Sequence, residues 1–149
     1  MVRFLHDGRF EEAEELLAEG SLVPAGADRD FFRALVLYWR LLYDDRNTSL
    51  QSEFDSRLEA ALASSEARIE ASPRDAVALL WNGTARLFLA ELRASEKRPF
   101  AAAKEARRAR NALSSARGAD PTLADASFGL GTGDVIADEL PALARGLGS

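Results

Sequence analysis

The spacing of apolar residues constrains this chain more than any other feature of its sequence. Apolar side chains recur at intervals of three and four residues along almost the whole length, and no stretch alternates apolar with polar residues. Intervals of three and four place side chains on one face of an α-helix, whereas a half-buried β-strand needs strict alternation. The sequence therefore predicts an all-α fold.

The same pattern divides the chain into helical segments separated by proline, glycine and short polar residues. Six helices are predicted, at about 9–19, 28–43, 49–71, 73–94, 96–117 (or from Pro99) and 121–138. Ser72 and Asp120 each stand before a proline, which is the order of a helix N-cap followed by the first helical residue. Thr48 with Gln51 has the spacing of a capping box. Gly118 is predicted to end the fifth helix in a left-handed conformation.

An internal repeat connects these helices. When the segment that begins at Pro73 is aligned with the one that begins at Pro121, Gly83 falls opposite Gly131, and both pairs lie 48 residues apart. Pro24 lies 49 residues before Pro73. A repeat of this size in a helical chain indicates helix pairs that stack on one another in a linear array.

On these residues the chain resembles the tetratricopeptide repeat family, in which antiparallel helix pairs stack into a right-handed superhelix. Small residues let the paired helices of that family approach closely, as Leu130-Gly131 and the equivalent Gly83 would here. The string DGRFEEAEELL, residues 7–17, resembles the turn and second helix of such a repeat. The usual period is about 34 residues. The longer period adds nearly two whole turns to each helix, which keeps the facing surfaces in place.

The resemblance implies one domain over residues 1–149, a solenoid of about six helices with approximate repeat units 1–24, 25–73, 74–121 and 122–149. In this interpretation the chain begins in the second helix of one repeat and ends after the first helix of another, so a fragment of a longer protein is expected. An unrelated helical bundle is the alternative fold. Close helix packing is predicted at Ala13, Ala34, Ala61, Gly83, Ala109 and Gly131.

The resemblance also implies a function, because first helices of the repeats line a concave binding surface in the family. The corresponding positions here are Asp28, Phe31, Leu35, Tyr38, Trp39, Val77, Leu80, Thr84, Leu87, Phe88, Asp125, Phe128, Thr132, Val135 and Ile136. Most are apolar or aromatic, and Tyr38 and Trp39 are the predicted anchors. None is lysine, arginine or asparagine, so the carboxylate grip of some family members is not expected.

Composition narrows the classes of function. The chain has no cysteine and a single histidine, His6, which excludes disulfides, thiolate zinc sites and clusters of histidine ligands. Its net charge of −5 opposes nucleic-acid binding. No window has the length and hydropathy of a membrane span. We predict no cofactor and no metal, and we leave the compartment open between the cytoplasm, the default, and the periplasm.

Three local motifs favour structural roles. The glycine-rich FGLGTGD, residues 128–134, follows no predicted strand, so helix packing explains it better than a phosphate loop. The basic run KRPFAAAKEARRAR, residues 97–110, is typical of a solvated helix face. The acidic pairs Asp44-Asp45 and Asp138-Glu139 lie at predicted helix ends.

No catalytic constellation is visible. The sequence predicts a non-enzymatic scaffold that binds a protein or peptide. The alternative is a structural module whose apolar face is buried in a homo-oligomer or by the rest of the full-length chain.

Overall fold

The computed structural model describes residues 7–20, 27–44 and 46–139, with side chains described at 7–20, 29–44 and 46–131. These residues form six α-helices and no strand, which confirms the all-helical prediction. The helices are α1 Phe10–Glu19, α2 Ala27–Tyr43, α3 Thr48–Ala71, α4 Ala76–Ser95, α5 Pro99–Ala119 and α6 Ala124–Glu139.

Two helices begin three residues later than predicted. The sequence predicted starts at Pro73 and Pro121, but both prolines lie in turns before α4 and α6. The cap of α4 is Asp75, whose Oδ1 accepts a hydrogen bond from the backbone N–H of Ala78 at 2.9 Å. Before α6, Asp120 Oδ1 accepts a hydrogen bond from the backbone N–H of Thr122 at 2.9 Å. This local turn competes with helix at Pro121, so the predicted caps at Ser72 and Asp120 are wrong.

The other predicted helix ends also shift. Thr48 is the first residue of α3, and the side chain that caps this helix is Asn47, whose Oδ1 accepts from Leu50 N–H at 3.1 Å. Gly118 lies inside α5, so the prediction of a left-handed glycine there is wrong. Lys97, between α4 and α5, does have a left-handed backbone, with φ of 58°. That conformation costs a non-glycine residue about 1–2 kcal/mol, which the packing of the α4–α5 hairpin must offset.

The chain divides into two compact units, Met1–Ser64 and Ser65–Ser149, and the division falls inside α3. In the first unit, Ala13 and Leu17 of α1 are fully buried against Val36 of α2. On α3, Phe54 and Leu58 are also buried. The core of this unit is therefore built from the apolar faces that the spacing of three and four predicts. The repeat units proposed from the sequence stay predictions.

The second unit contains the end of α3, from Ser65, and an α4–α5 hairpin with α6 packed against both helices of the hairpin. Its core consists of Leu79, Leu80, Leu87, Ala109, Leu113, Ala116 and Ala126. Leu113 of α5 is fully buried and faces two glycines. A Cβ atom built on Gly83 of α4 would lie 2.5 Å from Leu113 Cγ, and one built on Gly129 of α6 would lie 3.1 Å from Leu113 Cδ1. The two helices can approach Leu113 because neither glycine carries a side chain.

Asp75 gives a test of the observed cap. Replacing Asp75 with alanine is expected to lower the free energy of unfolding by about 1 kcal/mol at pH 7, since the Ala78 N–H loses its acceptor. Ser72→Ala, at the cap predicted from sequence, is the matched control and should change stability little. Urea denaturation followed by circular dichroism measures both. Equal losses for the two variants would contradict the cap at Asp75.

The cap should also depend on pH. Burial alone would raise the pKa of Asp75, but hydrogen bonds from the Ala78 N–H and the Arg68 guanidinium outweigh it and hold the pKa below its ordinary value. Because the folded pKa is the lower one, the contribution of Asp75 is present above the unfolded pKa and is lost as pH falls through the folded pKa. The difference between wild type and Asp75→Ala should therefore shrink in acid. A difference that stays constant down to about pH 2 would show that the charge contributes nothing.

Candidate functional site

The predicted groove residues of α2 pack inside the first unit. Phe31 is buried. Leu35 and Trp39 pack against the core formed with α1. The ring of Tyr38 lies 5.9 Å from that of Phe54 on α3, measured between centroids. Phe31 is therefore not available to line a binding surface, whereas Leu35, Tyr38 and Trp39 are half-buried and their role as a binding surface, with Tyr38 and Trp39 as anchors, stays a prediction.

On α4 the predicted groove divides into a buried and a partly exposed half. Leu80 and Leu87 lie in the core of the second unit, so the prediction that they line a groove is wrong. Val77 is exposed, and Thr84 and Phe88 are half-buried. The Thr84 hydroxyl donates to the carbonyl of Leu80 at 2.9 Å, so helix α4 itself satisfies it.

On α6 only part of the prediction lies among the described side chains. Phe128 is 77% exposed, the largest exposed fraction among the described large apolar side chains. Thr132, Val135 and Ile136 belong to α6, but their side chains lie outside the described residues, as does that of Asp28 on α2. Asp125 is exposed.

Five of the six predicted helix-packing residues are buried, and Gly131 is not. Ala13, Ala34, Ala61 and Ala109 are all buried. Gly83 is buried, and its missing Cβ leaves room for the next helix, α5. The contact predicted at Gly131 is absent from the described structure, where no atom outside its chain neighbours and its own helix backbone lies within 4 Å of the place its Cβ would occupy. The described residues contain no helix after α6 to make that contact, and the glycine of α6 that packs closely is Gly129.

A polar network in the second unit was not predicted. Asn82 of α4, 5% exposed, donates to the hydroxyl of the fully buried Ser65 on α3 at 3.1 Å. Arg86 Nε donates to Asn82 Oδ1 at 3.0 Å. The same guanidinium forms ion pairs with Glu105 of α5 at 2.7 Å and with Glu66 of α3 at 2.6 Å. One sequence feature could have indicated this network. Ser65 continues the helical spacing of Leu58 and Ala61, so it is a polar residue at a position where the pattern predicts an apolar one.

The charged groups of this network satisfy one another. The side chains of Arg86 and Glu105 are only 12% and 16% exposed, and Arg108 also contacts Glu105 at 2.9 Å. Each charge thus faces an opposite charge within hydrogen-bond distance, which is what partial burial requires. The arrangement joins three helices and is typical of a structural network.

A pocket of about 320 Å³ opens in the first unit. Its walls come from α1, α2 and α3 and consist of Glu14, Ala18, Arg33, Leu37, Glu53 and Arg57. Two carboxylates face two guanidinium groups, and Arg57 lies 3.7 Å from Glu53 of its own helix. Because the charges balance, the pocket does not favour a ligand of either sign.

The described residues contain no group of three or more histidine, cysteine, aspartate or glutamate side chains placed to hold a metal ion. Among the same residues, no helix has the length and apolar character needed to cross a bilayer.

Comparison with known proteins gives no further support for a family. No family model, curated protein or solved structure matches the chain. The resemblance to tetratricopeptide repeats therefore depends only on the spacing and the small residues described above.

Proposed function

We propose that this chain is a non-enzymatic interaction module, built from stacked helix pairs as in tetratricopeptide repeats, and that it binds a protein or peptide through α6. The proposed surface is the outer face of α6 centred on Phe128, which we call the Phe128 face. The superhelical arrangement of the helix pairs is part of this proposal.

One comparison carries the proposal. Leu80 and Phe128 occupy the same place in helices related by the 48-residue spacing, yet Leu80 is 4% exposed and Phe128 is 77% exposed. Leu80 belongs to the core shared by α4, α5 and α6. An aromatic ring at the corresponding place on α6 is suited to contact with an apolar surface, and aromatic side chains are enriched among the residues that dominate binding.

The chemistry of the described residues supports a binding role over a catalytic one. Arg86 and Glu105, two of the least exposed charged groups of the second unit, are held in ion pairs within the packed helices. Self-association through the Phe128 face is the alternative, and burial of this face by other parts of a longer chain would have the same effect.

The test is selection of peptides from a random display library on the immobilised chain, followed by measurement of their dissociation constants. We expect peptides rich in apolar and aromatic residues, with affinities that fall at least about tenfold for Phe128→Asp, since a carboxylate would have to be desolvated in the contact. Leu42→Asp, which changes an exposed apolar residue at the end of α2, is the matched control and should leave binding unchanged.

Two results would contradict the proposal. Peptides that bind the wild type and Phe128→Asp equally would show that the Phe128 face is not the site. Micromolar, salt-sensitive binding of duplex DNA at moderate salt, lost when Arg107, Arg108 and Arg110 are replaced by glutamate, would assign the module to nucleic acid instead. An unchanged melting temperature for Phe128→Asp keeps loss of binding distinct from loss of the fold.

A further inference from the structure

We propose that copies of this chain associate head to tail, the acidic outer face of α1 on one copy docking against the basic outer face of α5 on a second copy. The acidic face consists of Glu11, Glu15 and Ala18. The basic face consists of Phe100, Lys104 and Arg107. This contact is separate from the Phe128 face and does not depend on the function proposed for it.

The acidic face lies on the exposed side of α1, and Ala18 at its end also lines the opening of the pocket in the first unit. Glu11, Glu15 and Ala18 are spaced by four and three residues, so they form one line along the helix, and all three are exposed. The buried Ala13 and Leu17 lie on the other side. Among the described residues, neither Glu11 nor Glu15 has an ion-pair partner.

This distinguishes them from other glutamates of the same helix. Glu12 pairs with Arg9, and Glu14 lies 3.5 Å from Arg40 of α2. No basic residue occurs within α1. The outer line therefore carries uncompensated negative charge.

The basic face lies on the side of α5 that points away from Leu113 and the core. Phe100, Lys104 and Arg107 are spaced by four and three residues and are all exposed. In the part of the chain that the structure describes, Lys104 and Arg107 have no ion-pair partner, whereas the neighbouring Arg108 contacts Glu105 at 2.9 Å. As far as the described residues go, two stripes of opposite sign on different helices thus lack ion-pair partners.

The two stripes match in spacing when the helices run antiparallel. Lys104 and Arg107 are separated by about 4.5 Å along the axis and Glu11 and Glu15 by about 6 Å, at 1.5 Å per residue. Long, flexible side chains absorb that difference. The pairing of Lys104 with Glu15 and of Arg107 with Glu11 then brings Phe100 over Ala18, where a small residue leaves room for the ring.

Charge complementarity favours a second copy as the occupant of the basic face. The copy itself supplies an acidic helix with the required spacing, while the net charge of −5 works against approach of a long polyanion such as nucleic acid. Each copy would use α1 in one contact and α5 in another. A single such contact between two copies leaves one α1 face and one α5 face free, so further copies can add. Because exposed ion pairs contribute little individually, the association is weak and sensitive to salt.

Analytical ultracentrifugation of the full chain with two neutralised variants tests this geometry. The first variant combines Lys104→Gln with Arg107→Gln, and the second combines Glu11→Gln with Glu15→Gln. At low salt we expect the average mass of the wild type to rise beyond that of a dimer with concentration, and to return to that of a monomer at about 0.5 M salt. Each variant alone should remain monomeric, because it retains only one of the two faces.

A mixture of the two variants should form a 1:1 dimer and nothing larger. The intact acidic face of the first variant can dock on the intact basic face of the second, and the remaining faces are both neutralised. Matched controls remove the same charges from exposed positions on neither face: Arg46→Gln with Arg74→Gln, and Glu59→Gln with Glu70→Gln. Both controls should associate as the wild type does.

Several results would overturn the proposal. A wild type that stays monomeric up to about millimolar concentration at low salt would show that the stripes do not pair between copies. Association of either variant at the wild-type level, or a mixture that forms no dimer, would exclude the head-to-tail contact. Salt-sensitive binding of duplex DNA that requires Lys104 and Arg107, with no self-association, would assign the basic face to nucleic acid.

Discussion

Gly83→Ala is expected to lower the free energy of unfolding by about 1–3 kcal/mol, even though alanine is the better helix former. The added Cβ would lie 2.5 Å from Leu113 Cγ and 3.2 Å from the carbonyl oxygen of Ala109. Leu113 Cγ is a branched carbon close to its own backbone, so rotation of a flexible side-chain end cannot relieve the contact. The clash therefore outweighs the gain in helix propensity, which is about 1 kcal/mol.

Gly131→Ala is the matched control, since its Cβ would meet no atom within 4 Å and the position is exposed. It should raise the free energy of unfolding by about 0.5–1 kcal/mol, measured by urea denaturation. Leu113→Ala alone should cost about 2–5 kcal/mol, and Gly83→Ala should cost less in that background, because the contact with the Leu113 side chain has gone and only the 3.2 Å approach to the Ala109 carbonyl remains. Stabilisation of the wild type by Gly83→Ala would show that α4 and α5 do not approach closely at this point.

Arg86→Ala is expected to lower the free energy of unfolding by about 2–4 kcal/mol. The substitution leaves the buried Asn82 Oδ1 without the hydrogen bond that Arg86 donates and removes from Glu105 its 2.7 Å partner. Glu105 keeps Arg108, which holds the cost below that of an isolated buried charge. Thermal or urea denaturation followed by circular dichroism measures the effect.

The double variant Arg86→Ala with Glu105→Gln should recover part of this loss, because the carboxylate that lost its partner is neutralised. Arg57→Ala is the control for removal of a surface ion pair. Arg57 lies 3.7 Å from Glu53, both side chains are about half exposed, and its loss should cost no more than about 0.5 kcal/mol. Equal effects of Arg86→Ala and Arg57→Ala would show that the network contributes no more than an ordinary surface pair.

The spacing of apolar residues predicted the helices well. Each helix must bury one face, and that requirement places apolar residues at intervals of three and four within the helix itself. The first residue of each helix was harder to predict, because neighbouring side chains compete to cap the same helix N-terminus. Near Pro73 the sequence analysis placed the cap at Ser72, but the carboxylate of Asp75, which also pairs with Arg68, caps the helix. Spacing alone cannot rank two such acceptors three residues apart.

The candidate surface was harder to predict than the fold. Leu80 and Phe128 are both large apolar residues 48 positions apart, yet Leu80 is 4% and Phe128 77% exposed. Helix α5 packs on α4, whereas no helix follows α6 among the described residues. The same reason accounts for Gly83 and Gly131. The network around Arg86 depends on three helices meeting, so no local pattern could reveal its partners, although Ser65 and Asn82 were visible as polar residues on apolar faces.

The glycines of α6 couple the order of this helix to the proposed binding. Three of its 16 residues are glycine, and each weakens a helix by about 1 kcal/mol relative to alanine. Local unfolding occurs first where few interactions oppose it, so α6 is the helix of the second unit that should open most readily. A partner that recognises only the helical form shifts this opening equilibrium by mass action. Its apparent affinity is then the intrinsic affinity multiplied by the fraction of molecules in which α6 is closed, so a change in the stability of α6 changes the apparent affinity for the partner.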